Sequence, residues 1–172
     1  VVQGNKDCWF NYRVENAGIM AKGPQIAVNL LEPGSLGTEV LYNTSHIKNV
    51  RRLKIKGEMN SDDWAKIKMM PYLQDLDLSE AVITHIPDDQ FSTEKDTASL
   101  FLHKMVLPEG LQRIGHRAFY YSRLDSLVIP STVTTVGEYT FAYSHIRQLI
   151  LPDNLTNFEG HRNNYGQFDY PS

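Results

Sequence analysis

The stretch VLPEGLQRIGHRAF at residues 106–119 decides the fold, because its pattern returns 22 residues later as VIPSTVTTVGEYTF at 128–141. A third copy of the opening tripeptide, ILP, occupies residues 150–152, so consecutive prolines lie 22 residues apart. Internal repetition at a period of this length is typical of solenoids, in which each copy contributes one layer and cannot bury its apolar face alone. The sequence therefore predicts a stack of short, similar units.

The same apolar spacing extends the repeat toward the N-terminus. Each copy opens with three apolar residues, of which the second and third lie three and five positions after the first. Leu102, Met105 and Leu107 are one example. Five copies begin at positions 50, 73, 102, 124 and 146, with steps of 23, 29, 22 and 22 residues. The long step indicates a six-residue insertion within residues 92–101, and we expect residues 92–100 to form an exposed, mobile loop. The fifth copy has Asn163 where phenylalanine is due, which predicts a cap or a truncation point.

The repeated pattern predicts the course of the chain within each copy. Alternation at positions such as 105 and 107 predicts a short strand with one face inward, and the following proline, which lacks an N–H, ends it. The chain then places Ile114 and Phe119 in the core before it returns one strand further along. Gly115 and Gly137 suit a tight turn at that point. The expected fold is an α/β, right-handed solenoid with a short-stranded parallel sheet and few helices.

These segments also resemble a known family. Residues 107–119 and 128–141 are similar to the BspA-like leucine-rich repeat of treponemal and Bacteroides-type surface proteins, in which an Ile-Pro strand end precedes Ile-Gly and Ala-Phe. Residues 49–91 resemble the opening copies of such proteins, so the resemblance covers roughly 26–160. The sequence departs from the family pattern in three places. Its copies have 22 residues instead of the commoner 23, and copy five lacks its phenylalanine. Near the position where the family often has cysteine, this chain has Tyr121 or Tyr143. The resemblance implies a leucine-rich-repeat solenoid for surface adhesion to host or bacterial proteins, without a catalytic motif.

Residues outside the repeats predict caps. We expect an N-terminal cap region at 1–48, about five repeats at 49–160, and a C-terminal cap or linker at 161–172. Within the first region, 9–14 and 25–31 have the pattern of strands, and 35–44 contains a short helix. A second helix is expected to start at Asn60 or Ser61 and to stop at Pro71.

The N-terminus predicts a processed chain. It starts without methionine and without the basic and apolar stretches of a signal peptide, so we interpret the chain as trimmed. The family resemblance implies a location outside the cell or at its surface. Lipid attachment at Cys8 is an alternative, and Asp96-Thr97-Ala98 resembles a bacterial O-glycosylation site.

Composition excludes several classes of protein. With 41% hydrophobic and 22% charged residues, the 172-residue chain is not wholly disordered. Its 17 basic and 20 acidic residues give a net charge of −3, which offers no broad attraction for nucleic acid or anionic membrane. The apolar runs are too short for a membrane-spanning helix. Cys8, the single cysteine, excludes an internal disulfide framework and a thiolate zinc cluster.

The sequence lacks the usual patterns of catalysis. None of the six histidines has zinc-peptidase spacing, and there is no nucleophile elbow, phosphate-binding loop or dinucleotide fingerprint. We therefore predict no enzyme activity, no cofactor and no metal. Asp75 and Asp77 fall on outward strand positions, where parallel pairing puts them beside Arg52 and Lys54. Cross-strand ion pairs are expected there.

The remaining outward positions form the candidate partner-binding site. An apolar ladder and an adjacent polar column follow the last three strands: Val106, Val128 and Ile150, with Lys104, Ser126 and Gln148. Contiguous exposed apolar residues mark contact sites, although β-branched residues are also ordinary strand filling. The resemblance implies a host or bacterial surface protein as the partner, and a glycan is the alternative.

Three other functions compete with protein binding. A structural spacer would have no ligand of its own. A carbohydrate-binding module would present a row of aromatics on the concave sheet, and the outward columns contain none. An enzyme would need a polar cleft with a perturbed pKa.

Overall fold

Two parallel sheets build the protein in a computed structural model that describes residues 25–40, 50–93 and 102–158. Within those residues, the larger sheet has six strands in spatial order: β1 (Ile26–Asn29), β2 (Arg52–Glu58), β3 (Asp75–Val82), β5 (Lys104–Val106), β7 (Ser126–Val128) and β9 (Gln148–Ile150). The smaller sheet has four: β4 (His85–Ile86), β6 (Arg113–Ile114), β8 (Thr135–Val136) and β10 (Asn157–Phe158). Two helices, α1 (Leu36–Val40) and α2 (Ser61–Lys68), lie among the early copies. The predicted solenoid with a parallel sheet and few helices is confirmed.

The register of the larger sheet follows the repeat. Leu53 pairs with Leu76, and Leu76 pairs in turn with Met105 on the next strand. These inward residues are at most 5% exposed. Strands β5, β7 and β9 each end two residues before a proline, as the missing N–H predicts.

The smaller sheet is a feature that sequence analysis did not predict. Its strands have only two residues, too short for a period of two to be visible in the sequence. Strands β4, β6 and β8 each contain one buried residue and one more exposed residue, so that Ile86, Ile114 and Val136 line the core. The return segments of neighbouring copies are therefore joined by backbone hydrogen bonds as well as by side chains.

A turn follows directly after each of the recurring glycines, as predicted. Neither Gly115 nor Gly137 has a positive φ, so the turn itself does not require glycine. Each lies instead where neighbouring copies pass closely: a Cβ on Gly115 would be 2.8 Å from Ile86 O, and one on Gly137 would be 2.7 Å from His116 N. The glycines are needed for the approach of adjacent backbones.

A stack of phenylalanine rings runs through the core. Phe91 and Phe119 are stacked with centroids 5.4 Å apart, and Phe119 and Phe141 with centroids 5.7 Å apart. Trp64 of α2 meets Phe91 edge-on at 6.1 Å. The predicted stacking of Phe119 on Phe141 is confirmed, and Trp64 is buried as a core residue.

Asp63 ties the early part of the chain to the repeats. The predicted helix start is confirmed: Asn60 caps α2, and Asp63 completes a capping box by accepting from the Asn60 N–H at 2.9 Å. The same buried carboxylate accepts from Gly34 N at 2.7 Å and Leu36 N at 2.9 Å. One side chain therefore holds three backbone donors from two segments. Strand β1 precedes this junction and pairs in parallel with β2.

Several expectations fall partly or wholly outside the described residues. These include the strand at 9–14, most of the 92–100 loop, and the tail at 161–172. At the start of the insertion, Thr93 is half-buried, its N–H donates to Tyr120 O, and its hydroxyl donates to Tyr121 O. The expectation of an exposed loop is therefore wrong for Thr93, which continues the contacts between copies.

Removing one ring from the stack will test the core. Phe119→Ala is expected to destabilise the fold by about 3–5 kcal/mol, because the ring is fully buried between two others and leaves a cavity. Val128→Ala is the control, since Val128 is exposed. Equilibrium unfolding in urea measures both, and equal midpoints for the two variants would contradict the stack.

A second substitution will test the junction. Asp63→Asn is expected to cost about 1.5–3 kcal/mol, because an amide offers one oxygen and turns its NH₂ toward backbone donors. Asp62→Asn, an exposed neighbour with the same change in charge, is expected to change stability little. If thermal unfolding shows the same loss for both variants, the three bonds to Asp63 do not secure the junction.

Candidate functional site

The outward face of the larger sheet places the predicted site residues on consecutive strands. Val106, Val128 and Ile150 are 38%, 55% and 46% exposed. Val128 pairs directly with Ile150, and Lys104, Ser126 and Gln148 form the adjoining column. Neighbouring strands are about 4.8 Å apart, so the three apolar side chains form one continuous ladder. The structure thus brings all six residues together, while their role in binding stays a prediction.

The early strands carry a network of charges on the same face. Arg52 lies 3.3 Å from Asp75, and Lys54 lies 3.8 Å from Asp77 and 2.6 Å from Glu80. The expected pairs are confirmed, and Glu80 is an addition. A register shift between Lys54 and Lys56 places Lys56 opposite Glu80, with 3.5 Å between their charged atoms. A β-bulge of this kind is not visible in the spacing of apolar residues.

The network shifts the pKa values of its members. The hydrogen bond to Glu80 is the largest cause that raises the pKa of Lys54, and the same bond lowers the pKa of Glu80. At Asp77 burial favours the neutral acid, but hydrogen bonds from Ser79 and the charges of Lys54 and Lys104 outweigh it, so the pKa is lowered. All three groups are therefore held in their charged forms.

The outward face thus has two unlike halves. On β2 and β3 opposite charges neutralise each other, and such exposed pairs contribute little to binding a further partner. On β5, β7 and β9 the apolar ladder faces solvent beside polar groups. Only the second half gains substantially from losing water, because burial of apolar surface is favourable.

Among residues 25–40, 50–93 and 102–158, no three histidine, cysteine, aspartate or glutamate side chains come together as ligands for a metal ion. In the same ranges no helix has the length and apolar character to cross a bilayer.

A cluster of tyrosines lies in the bends that lead into the larger sheet, and sequence analysis missed it. Tyr121 and Tyr143 are stacked at 5.0 Å, and Tyr120 meets them edge-on at 4.8 and 5.5 Å. Their spacing of 22 residues was the available signal, but the search for aromatics considered the concave columns alone. Burial is the largest cause that raises the pKa of Tyr120 above 10.0, and the nearby Tyr121 also raises it. The hydroxyl of Tyr120 therefore stays protonated.

The backbone under this cluster is unusual. Tyr121 and Tyr143 both have a φ of 55°, in the left-handed region that favours glycine. For other residues that conformation costs roughly 1–2 kcal/mol. Stacking of the two rings offsets part of this cost.

Comparison with protein families accounts for the repeat. The BspA-type leucine-rich repeat region matches residues 68–162, more than half of the chain, as six copies. The chain belongs to the BspA-type leucine-rich repeat family. The family comparison counts six copies within residues 68–162. The spacing of apolar residues predicts five copies, the first of which begins at residue 50. BspA-type repeats are typical of surface proteins, and leucine-rich repeats serve as scaffolds for protein binding that are typically non-catalytic. Comparison with curated proteins finds no match.

The charge network predicts a two-sided dependence of stability on pH. The pKa values of Asp77 and Glu80 are lowered by folding, so their contribution is complete above the ordinary carboxyl values of 3.8 and 4.5 and is lost as the pH falls below them. The pKa of Lys54 is raised, so its contribution is complete below 10.5 and is lost as the pH rises further.

Thermal unfolding from pH 2 to 12 will test this dependence. Lys54→Met is expected to make both the acidic and the alkaline decline shallower, because it removes a cation that both carboxylates share. Part of the acidic decline is expected to remain, since Ser79 and Lys104 act on Asp77 and Lys56 acts on Glu80. Lys68→Met, in an exposed position on α2, is the matched control. A Lys54→Met profile that parallels that of the native chain would contradict the role of the network.

Proposed function

We propose that this chain is an extracellular, non-catalytic leucine-rich-repeat module that binds a protein at the bacterial cell surface in an adhesion role. The observation that carries the proposal is the apolar ladder of Val106, Val128 and Ile150, exposed on the outward face of a sheet whose strands β2 and β3 are ion-paired. The partner is a host or bacterial surface protein. Membership in a family of protein-binding repeats supports the class of function.

The layout of the face resembles a small interface. Protein interfaces combine a desolvated apolar centre with a polar rim. Here the apolar ladder is the centre, and the column of Lys104, Ser126 and Gln148 forms a polar rim along one side. The strands hold the ladder rigid, which lowers the entropic cost of binding. The inward neighbours Met105 and Leu127 are buried, so the outward positions are free to contact a partner without disturbing the core.

The main rival is a spacer without a ligand. In that interpretation valine and isoleucine fill the strands because β-branched residues suit them, and substitutions on the outward face affect nothing but solubility. The two interpretations differ in one measurable property, the affinity of the ladder for another protein.

The experiment compares variants on a panel of purified host extracellular and bacterial surface proteins. Val128→Asp is expected to weaken binding by about 2 kcal/mol, or about thirty-fold, because it places a charge at the desolvated centre. Val128→Ile keeps the apolar surface and is the matched control. Lys54→Ala removes a charge that is already paired and is expected to change affinity less than three-fold. Biolayer interferometry measures the dissociation constants.

Two results would contradict the proposal. No affinity for any member of the panel at micromolar concentration favours the spacer. Loss of binding in Lys54→Ala with retention in Val128→Asp moves the site to the charged half of the face. Circular dichroism of each variant verifies that the fold is retained.

A further inference from the structure

A second surface lies at the edge where the chain enters the larger sheet. Tyr121 and Tyr143 precede Arg123 and His145 by two residues, and the serine between them is buried in both copies. Two residues of chain span at most about 7 Å, so in both copies the tyrosine lies close to the cationic or imidazole residue. Two consecutive copies therefore present the same pairing of an aromatic ring with a nitrogen-rich group.

The nitrogen-rich groups surround a shallow cavity of about 480 Å³. Its lining residues come from three adjacent copies: His103, Arg123, Asp125, His145, Ile146 and Arg147. Arg147 lies 3.7 Å from Asp125, the one carboxylate in that lining. Among the described residues, Arg123 has no acidic partner. The cavity thus combines one available guanidinium with two imidazoles, which suits a small anion.

The aromatic cluster offers a different kind of contact. Tyr143 is 58% exposed and forms the end of the described ring stack, so one of its faces is open to solvent. Tyr120, supported by Arg117 at 4.4 Å from its ring centroid, holds the stack from the side. A rigid ring with a hydroxyl at its tip matches the apolar face of a sugar and hydrogen-bonds the hydroxyls at its edge.

We propose that this edge binds a sugar unit that carries an acidic group, with the ring on Tyr143 and the carboxylate or sulfate ester in the cavity beside Arg123. The volume of the cavity lies within the range of small-ligand pockets. The cavity adjoins the polar column of the outward face, because His103, Asp125 and Arg147 directly precede Lys104, Ser126 and Gln148. It gives the module an acidic-glycan subsite beside its protein-binding surface.

The left-handed backbone at Tyr143 allows a substitution that removes the ring without straining the chain. Tyr143→Gly removes the ring, and glycine accepts the φ of 55° without strain, so the fold is expected to persist. Tyr139→Gly is the matched control, because Tyr139 has a φ of 54° and its ring contacts His116 instead of the tyrosine cluster. For the charge, Arg123→Ala is compared with Arg113→Ala, an exposed arginine on β6.

Isothermal titration calorimetry with the whole chain uses three probes: hyaluronan, which carries only carboxylates, dextran sulfate, which carries only sulfate esters, and neutral dextran. One of the two acidic probes is expected to bind, and the comparison identifies the acidic group. Tyr143→Gly and Arg123→Ala are expected to lose at least ten-fold in affinity, while Tyr139→Gly, Arg113→Ala and Val128→Asp stay within two-fold.

Other results would overturn the proposal. Absence of binding to both acidic probes removes the site, and equal binding of neutral dextran removes the role of the acid. Loss in Arg123→Ala without loss in Tyr143→Gly shows simple polyelectrolyte attraction, which disappears in high salt. A sulfotyrosine peptide that binds at this edge while the polysaccharides do not assigns it to a protein ligand instead.

Discussion

The close approach of consecutive copies is the constraint on which the rest of the structure depends. Phe91, Phe119 and Phe141 stack at 5.4 and 5.7 Å, and this separation allows both sheets to form their parallel ladders at the same time. Gly115 and Gly137 permit it, because any Cβ there would collide with the preceding copy. Aromatic packing inside and backbone hydrogen bonding outside therefore support one another.

This regular spacing also determines the surfaces. Residues at equivalent positions of successive copies lie side by side, so a substitution shared by two or three copies becomes a continuous feature of the molecule. Valine or isoleucine in one column makes an apolar ladder on the outward face, and tyrosine in another makes a ring stack at the sheet edge. The first copies use the same geometry differently, since their outward columns hold alternating charges that neutralise one another. Function in such a scaffold is therefore a property of columns and not of single residues.

Two departures from regularity are informative because each has a local physical cause. The register shift between Lys54 and Lys56 lets Glu80 contact both lysines, which turns two pairs into a network. Asp63 joins residues 34–36 to α2 through three backbone N–H groups, which a repeat alone would not supply. Both lie in the early copies, where the helix and the longer strands interrupt the simple repeat.

The sequence by itself determined the solenoid, the alignment of the strand starts in the larger sheet, the inward leucines and the order of the phenylalanine stack. A period of 22 residues places equivalent residues together whatever the details of the turns. It also placed all six predicted site residues on one face. Only the tertiary structure decided the smaller sheet, the reason for the glycines, the contacts of Glu80 and the meeting of the tyrosines with the cationic cavity. These depend on bulges, left-handed turns and approaches between copies, and such features have no signature in the spacing of apolar residues along the chain.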